Sequence, residues 1–363
     1  EHLGAAPHER SSRRRGHRNG YYERALTLRV GTIELRVPRD REGTFRTELF
    51  ERYQRSERAL VLALLEMVVN GVSSRKVKRI TEQLCGHAFS KSTVSELAAG
   101  LDAEVEAWNE RLLSATTYPF VWVDAMGIKV RREGAVRASS ILLVTAVSAD
   151  GHREILGLRV ANSESESSWL ETFRWLKGRG LSGVEIVVSD DHQGLVAALR
   201  RAFQGVIWQR CQVHFRKNVL DATPTRHQAA MHQGLERILG APSPEVARSA
   251  FAALATALSG PADHAVEILE RGLEDAIAVL ALPEKYRVRL RSTNPLERLI
   301  EEGRRRERVI RIFPNERSAW RLMGALFAEQ HEDWISGRRY FDMTEYFDWQ
   351  AVQDRDDQEK KAA

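Results

Sequence analysis

The sequence predicts an α+β fold: a sheet of mixed direction packed with helices, preceded by a smaller helical region and followed by a long all-helical stretch. Three observations predict it. Strand-like apolar runs occur at 119–124, 139–148, 154–161, 184–189 and 206–208; turns join the first three and helical patterns separate the last two; and residues 214 to about 282 carry no strand pattern. Three hairpin-linked strands followed by helix, strand, helix, strand is an α+β order, not a doubly wound one. A chain of 363 residues, 43% hydrophobic and 29% charged, can bury a sizeable core and suggests two or three domains. That composition excludes wholesale disorder, collagen and a small disulfide scaffold.

Taken in order, residues 1–24 read as a basic disordered arm, with Arg13, Arg14 and Arg15 consecutive. Residues 25–44 read as a β-hairpin, because Leu26, Leu28, Val30, Ile33, Leu35 and Val37 alternate with polar residues around Gly31-Thr32 and Pro38 ends the pattern. Residues 45–117 are helical, with Ala59, Leu60, Leu62, Leu64, Leu65 and Val68 at helical spacing. Within them, Ser74 to Leu84, a break at Cys85-Gly86-His87 and Ser90 to Ala99 have the spacing of a helix-turn-helix. Ser90 would cap the second helix and leave Lys91, Ser92 and Thr93 on its first turn, where such helices meet DNA. A helical hairpin packed in a core has the same pattern. Residues 118–213 hold the strands, 214–290 a helical insertion, 291–345 the helix carrying Glu297, and 346–363 a polar tail. No internal repeat and no glycine-rich phosphate fingerprint occur.

The chain carries 55 Lys+Arg against 50 Asp+Glu. From Lys285 to Arg311 there are ten basic residues and four glutamates, a local surplus larger than the net charge of +5 for the whole chain. Clustered Lys and Arg point to a polyanion partner, because they gain affinity by displacing phosphate counterions. Arg304, Arg305, Arg306 and Arg308 are the residues expected to hold DNA phosphates, with Arg311 just beyond; pairing with Glu301, Glu302 and Glu307 is the alternative. Cys85 and Cys211 are too few for a disulfide framework and fit a reducing cytosol. No apolar run approaches the roughly 20 residues of a membrane helix. A first residue of Glu1 instead of Met implies a fragment or a processed product.

Asp124 follows the apolar run Phe120-Val121-Trp122-Val123, and Asp190 follows Ile186-Val187-Val188-Ser189. A carboxylate at the mouth of a buried strand is costly unless compensated, and a divalent cation compensates it well. Each could instead cap the following turn or helix. Asp191, beside Asp190, leaves the register of the second acid open.

Four segments carry a family resemblance: Val123-Asp124-Ala125; Ser189-Asp190-Asp191-His192-Gln193-Gly194-Leu195; Gln209-Arg210-Cys211-Gln212-Val213-His214-Phe215; and Ser292-Thr293-Asn294-Pro295-Leu296-Glu297-Arg298-Leu299. In this order and spacing they resemble bacterial insertion-sequence transposases of the Mutator-type DDE superfamily, from Gly20-Tyr21 to Trp334. The resemblance implies a ribonuclease-H-like catalytic core interrupted by an all-helical insertion, after a helix-turn-helix for terminal inverted repeats. It implies Asp124, Asp190 and Glu297 as catalytic acids and metal ligands. Phosphodiester cleavage needs an activated water and a stabilised 3′ oxygen, and two Mg²⁺ (or Mn²⁺) held by carboxylates can supply both. The partners so implied are element ends and target DNA, with at least a dimer on DNA, no membrane, and a place in the bacterial cytoplasm at the nucleoid. A domesticated or inactive DNA-binding relative and a same-fold nuclease are the alternatives.

Cys211 and His214 form a Cys-x-x-His that the resemblance marks as a family motif. As a zinc site it is only half complete, so zinc is not expected and a structural or DNA-contact role is. The chain departs from the family pattern at Ile300, where a polar Asn is usual, at Gly303, where an apolar residue is usual, and at Met126-Gly127, where an aromatic is usual. Gly303 inside a helix costs about 1 kcal/mol relative to Ala.

Overall fold

The computed structural model describes residues 3–5, 9, 11–12, 14–28, 31–42, 44–45, 58–85 and 89–362. They belong to two compact units, Glu1–Leu101 and Asp102–Ala363.

The first unit opens with an antiparallel hairpin of β1 (Arg18–Leu28) and β2 (Gly31–Asp40). The disordered arm expected through residue 24 is therefore corrected. Tyr21 and Tyr22 already pair with Pro38 and Val37, and Arg36 and Arg39 lie over their rings at 5.3 and 5.7 Å. Pro38 does not end β2. In a two-stranded ribbon both strands are edges, so a position without an N–H can face outward.

Three helices follow: α1 (Arg58–Val69), α2 (Ser74–Cys85) and α3 (Lys91–Ala99). Leu60, Leu64, Val77, Phe89 and Val94 form their shared core. Ser90 caps α3 as expected, its Oγ accepting from Thr93 N at 3.1 Å. The start of the helical run expected from Phe45 falls largely on residues 46–57, and Gly86 and His87 of the expected break also lie outside the described residues.

The second unit begins with α4 (Asp102–Asn109) and contains β3 (Phe120–Arg132), β4 (Ala135–Val147), β5 (Arg153–Ala161), α5 (Glu166–Gly178), β6 (Ile186–Ser189), α6 (Gln193–Ala202) and β7 (Ile207–Arg210). The sheet order is β5-β4-β3-β6-β7, with β3, β4 and β5 antiparallel and β6 and β7 parallel to β3. The α+β class with a mixed sheet is thus observed. Asp124, however, does not end its strand. β3 runs eight residues further, because β3 and β4 continue as a ribbon to a turn at Glu133 and Gly134, both at positive φ (49° and 77°).

The rest is helical: α7 (Gln212–Asp221), α8 (Gln228–Leu239), α9 (Pro244–Leu258), α10 (Asp263–Ile277), α11 (Glu284–Leu290), α12 (Asn294–Ile310), α13 (Glu316–Ser336) and α14 (Thr344–Ala362). The polar tail expected from residue 346 is corrected too. α14 begins before it, and Tyr346 is buried against Phe120 with ring centroids 4.7 Å apart.

The pleat of β3 divides the core. Val121 and Val123 point to a cluster with Leu142, Val144, Trp169, Phe173, Leu195 and Leu199, the side covered by α5 and α6. Phe120, Trp122, Asp124 and Met126 alternate with them and face the C-terminal helices. Phe120 meets Tyr286, Phe341 and Tyr346, and Trp122 Nε1 donates to Ser292 O at 3.2 Å. Two of the family departures touch each other on this side. A Cβ on Gly303 would sit 3.2 Å from Met126 Sδ and 3.4 Å from Met323 Sδ, so Gly303 gives Met126 its room. The third, Ile300, is buried on the same helix, where an apolar side chain needs no hydrogen-bond partner.

Gly303→Leu should overpack this contact and cost about 1–3 kcal/mol. Met126→Ala in the same chain should recover part of that loss, and a double-mutant cycle by urea unfolding measures the coupling. His331, on α13, is buried and accepts from Ile155 N at 3.3 Å through Nδ1. Burial, with Arg111 nearby, lowers its pKa to about 3. Its protonation favours the unfolded chain, so stability present above pH ~6.5 should be lost as pH falls towards the folded value, by at most about 1.4 kcal/mol per pH unit. Urea unfolding across that window checks the slope, and His331→Gln should flatten it.

Candidate active site

Asp124 is on the central strand, Asp190 is the residue after β6, and Glu297 is in the first turn of α12. β6 is short and lies beside β3, with Trp122 in register with Val188, so Asp190 emerges next to Asp124. α12 starts where Asn294-Pro295 allows a helix to begin, since Pro at the first turn has no N–H to leave unpaired.

His214 links the three acids. Its Nε2 lies 3.7 Å from Glu297 Oε1, and its charge acts together with those of Asp190 and Asp124. Burial raises the Asp124 carboxyl to about 7; the Ala125 amide opposes this with a 2.7 Å hydrogen bond, and the charges of Asp190 and Glu164 reinforce it. The Cys211 sulfur beside His214 raises the imidazole to about 9 against the effect of burial, and Glu297 and Asp190 add to the rise. Burial alone would raise the Cys211 thiol, but hydrogen bonding with His214 and Thr293 leaves it lowered.

Thr293 ties the motif to the third acid. Its hydroxyl is 2.8 Å from Glu297 Oε1 and 3.3 Å from Cys211 Sγ, its amide donates to Cys211 Sγ at 3.4 Å, and its carbonyl accepts from Glu297 N at 2.9 Å. Cys211, His214 and Glu297 offer ligand atoms that all lie within 4.8 Å of one another. That set mixes sulfur, nitrogen and oxygen, whereas Asp124 and Asp190 offer oxygen only.

Asp190 and Asp191 are treated differently. Asp191 pairs with the buried Arg210 at 2.9 Å, while Asp190 Oδ1 is buried without a hydrogen-bond partner. Physical reasoning on the sequence misses a fourth acid, Glu164, between β5 and α5. Its Oε1 accepts from Trp169 Nε1 at 3.3 Å and lies 3.4 Å from His192 Nδ1. Burial raises its pKa, and Asp190 adds to the rise. In sequence, Asn162-Ser163-Glu164-Ser165 looks like any polar lead into a helix, so nothing local marks it.

The remaining expected residues are spread out. Arg304, Arg305, Arg306 and Arg308 are on α12. Arg305 pairs with Glu302 at 2.6 Å, and Arg306 is buried and pairs with the same carboxylate. Arg304 and Arg308 are exposed and form no ion pair among the described residues. Ser92 is exposed and Thr93 half-buried on α3 of the other unit, and both hydroxyls bond to Ser90 Oγ. The Lys91 side chain lies outside the described residues.

The family description "Transposase, Mutator family" matches residues 1–337. This chain belongs to the Mutator family of transposases. It is 45% identical over 343 residues to the transposase for insertion sequence element IS256 in transposon Tn4001 of Staphylococcus aureus, covering 94% of this chain and 88% of that one. The transposase for ISRM5 of Rhizobium meliloti is 47% identical over 94% of this chain and 86% of its own length. That for IS1081 of Mycobacterium tuberculosis is 40% identical over 93% and 81%. A chain of the Drosophila P element transposase strand transfer complex has a TM-score of 0.31 at 10% identity, covering 85% of this chain and 87% of that one, too low to carry a structural argument. No helix among the described residues is long and apolar enough to cross a membrane.

Thr293→Val keeps the shape of this buried residue and removes the hydroxyl shared with Glu297 and Cys211. It should cost about 0.5–1.5 kcal/mol in urea unfolding, and Thr293→Ser should recover most of that.

Proposed function

We propose that this family member is a DDE transposase that binds the terminal inverted repeats of its insertion sequence and cleaves and joins DNA at Asp124, Asp190 and Glu297. One observation carries the reading: Asp190, which emerges beside Asp124 from the neighbouring strand, has a buried oxygen without a partner, and His214 meets the third acid, Glu297, at 3.7 Å. The sheet order, with three antiparallel and two parallel strands, supports a ribonuclease-H-like core. The Ser90-capped α3 after α2 supports a helix-turn-helix. Action on DNA at the nucleoid, by at least a dimer, is part of the same proposal.

Asp124, Asp190 and Glu297 offer oxygen only, and Asp190 has one buried, unpaired oxygen, a donor set that suits a hard cation. Asp124, Asp190 and Glu297 would hold Mg²⁺, which when bound supplies the charge neutralisation and water activation that phosphodiester cleavage needs. The chain's own residues prepare the site. Burial keeps Asp124 out of water, Arg210 removes Asp191 from competition, and Thr293 fixes the orientation of Glu297. Exposed Arg304 and Arg308 supply positive charge along the helix that carries Glu297.

Asp124→Ala, Asp190→Ala and Glu297→Ala should each reduce cleavage and joining of labelled element ends in Mg²⁺ to background while end binding survives. Near wild-type cleavage in any of them removes that residue from the site. End binding without cleavage by the wild type would identify a domesticated protein, and cleavage without joining a nuclease.

A further inference from the structure

Two arginines stack on aromatic rings, and a third lies near them. Arg153, the first residue of β5, lies with its guanidinium carbon 4.0 Å from the Trp334 ring centroid and 4.5 Å from that of Tyr340. Arg289 of α11 approaches Tyr340 at 4.4 Å and Phe341 at 5.3 Å. Arg298, next to Glu297, is close enough for its charge to act on both Arg153 and Tyr340.

None of the three arginines forms an ion pair or hydrogen bond among the described residues, and the charges acting on Arg153 include Arg289 and Arg298 but no carboxylate. Burial and these two like charges hold Arg153 below its usual pKa, with only Tyr340 opposing. Arg153 is half-buried and Arg289 and Arg298 are exposed, so the three charges open to solvent while repelling one another, and an anion joining them relieves that repulsion. Cation–π contact orients guanidinium groups but does not neutralise them.

The place is built firmly. Tyr340 N and Phe341 N donate to Gly151 O at 2.7 and 3.2 Å, pinning this loop to the β4–β5 turn. Gly151 has φ of 93°, and a Cβ there would come within 2.0 Å of Phe341 O, so this close approach requires glycine. Tyr340 also meets Trp122 edge-on at 6.3 Å, two residues before Asp124 on the same side of β3.

We infer that Arg153 and Arg289, held on Tyr340 and Trp334, form with the neighbouring Arg298 a cradle for backbone phosphates of the DNA that enters the active site. The inference rests on the DNA reading above and adds a contact surface to it. Phosphate is the matching anion because planar guanidinium groups grip its oxygens in pairs while their faces stay on the rings. Such contacts follow the backbone and are blind to sequence.

The test measures affinity of the full chain for a fluorescein-labelled random-sequence duplex over a salt series, with thermal unfolding alongside. Arg153→Gln with Arg289→Gln should weaken binding and flatten the slope of log affinity against log salt by roughly 0.9 per lost contact. Without DNA the same chain should melt no lower than wild type, because repulsion has been relieved. Arg153→Lys with Arg289→Lys keeps the charges and should keep most of the slope. An unchanged slope in the Gln variant overturns the cradle while the function above stands. A lower melting temperature in that variant marks the cluster as a structural stack and overturns it as well. If the double Gln variant does not fold, Arg289→Gln alone, at an exposed position, decides: a slope flattened by roughly 0.9 supports the inference, and an unchanged slope overturns it. Wild-type protein that binds no duplex removes the cradle together with the DNA reading.

Discussion

Everything around the candidate site answers to a carboxylate on the central strand of a buried sheet. Asp124 shares its side of β3 with Phe120, Trp122 and Met126, all buried, and is itself half-buried among them. An ionised group in that position costs several kcal/mol unless neighbours compensate it. The neighbours that reach it combine one backbone amide and one imidazole with two further acids, Asp190 and Glu164. Such an arrangement concentrates negative charge instead of neutralising it.

The same constraint organises α12. The helix has to bring Glu297 to the acids while covering the apolar part of the same strand, so its residues alternate between the two tasks. Leu296, Leu299 and Ile300 are buried, Gly303 yields space to Met126, and Thr293 at the N-terminus grips Glu297 and Cys211 together. Trp122 fastens the preceding loop through Ser292 O. Cys-x-x-His thereby acquires a physical role. Cys211 is a buried acceptor at the start of α7, and His214, one turn on, reaches the acid delivered by a distant helix.

Much of this was legible before any tertiary information. The strand pattern and the mixed sheet direction follow from apolar periodicity and connection length, and Ser90 as a helix cap follows from its side-chain chemistry. The acids and the Cys-x-x-His were visible as motifs. Strand length was not: β3 and β4 extend beyond their continuous apolar runs, because from Gly127 onward alternate residues such as Ile128 and Val130 are buried while the backbone pairs with β4 and, at Lys129 and Arg131, with Phe313. The arm and the tail were misjudged for a related reason. Tyr21, Tyr22 and Tyr346 sit among charged residues, and only their partners on other segments reveal that they are ordered.

By itself, the sequence determined which segments alternate, which helices can begin and end where they do, and which family the chain resembles, because these depend on neighbours along the chain. Only the tertiary structure decided which of two adjacent aspartates is held by Arg210 and which is left with an unpaired oxygen. It likewise decided that Glu164 joins the acids and that Arg153 and Arg289 share one aromatic platform. Charge and burial act through space over a few ångströms, and residues that meet at that distance, such as Arg153 and Tyr340, can stand far apart in the chain.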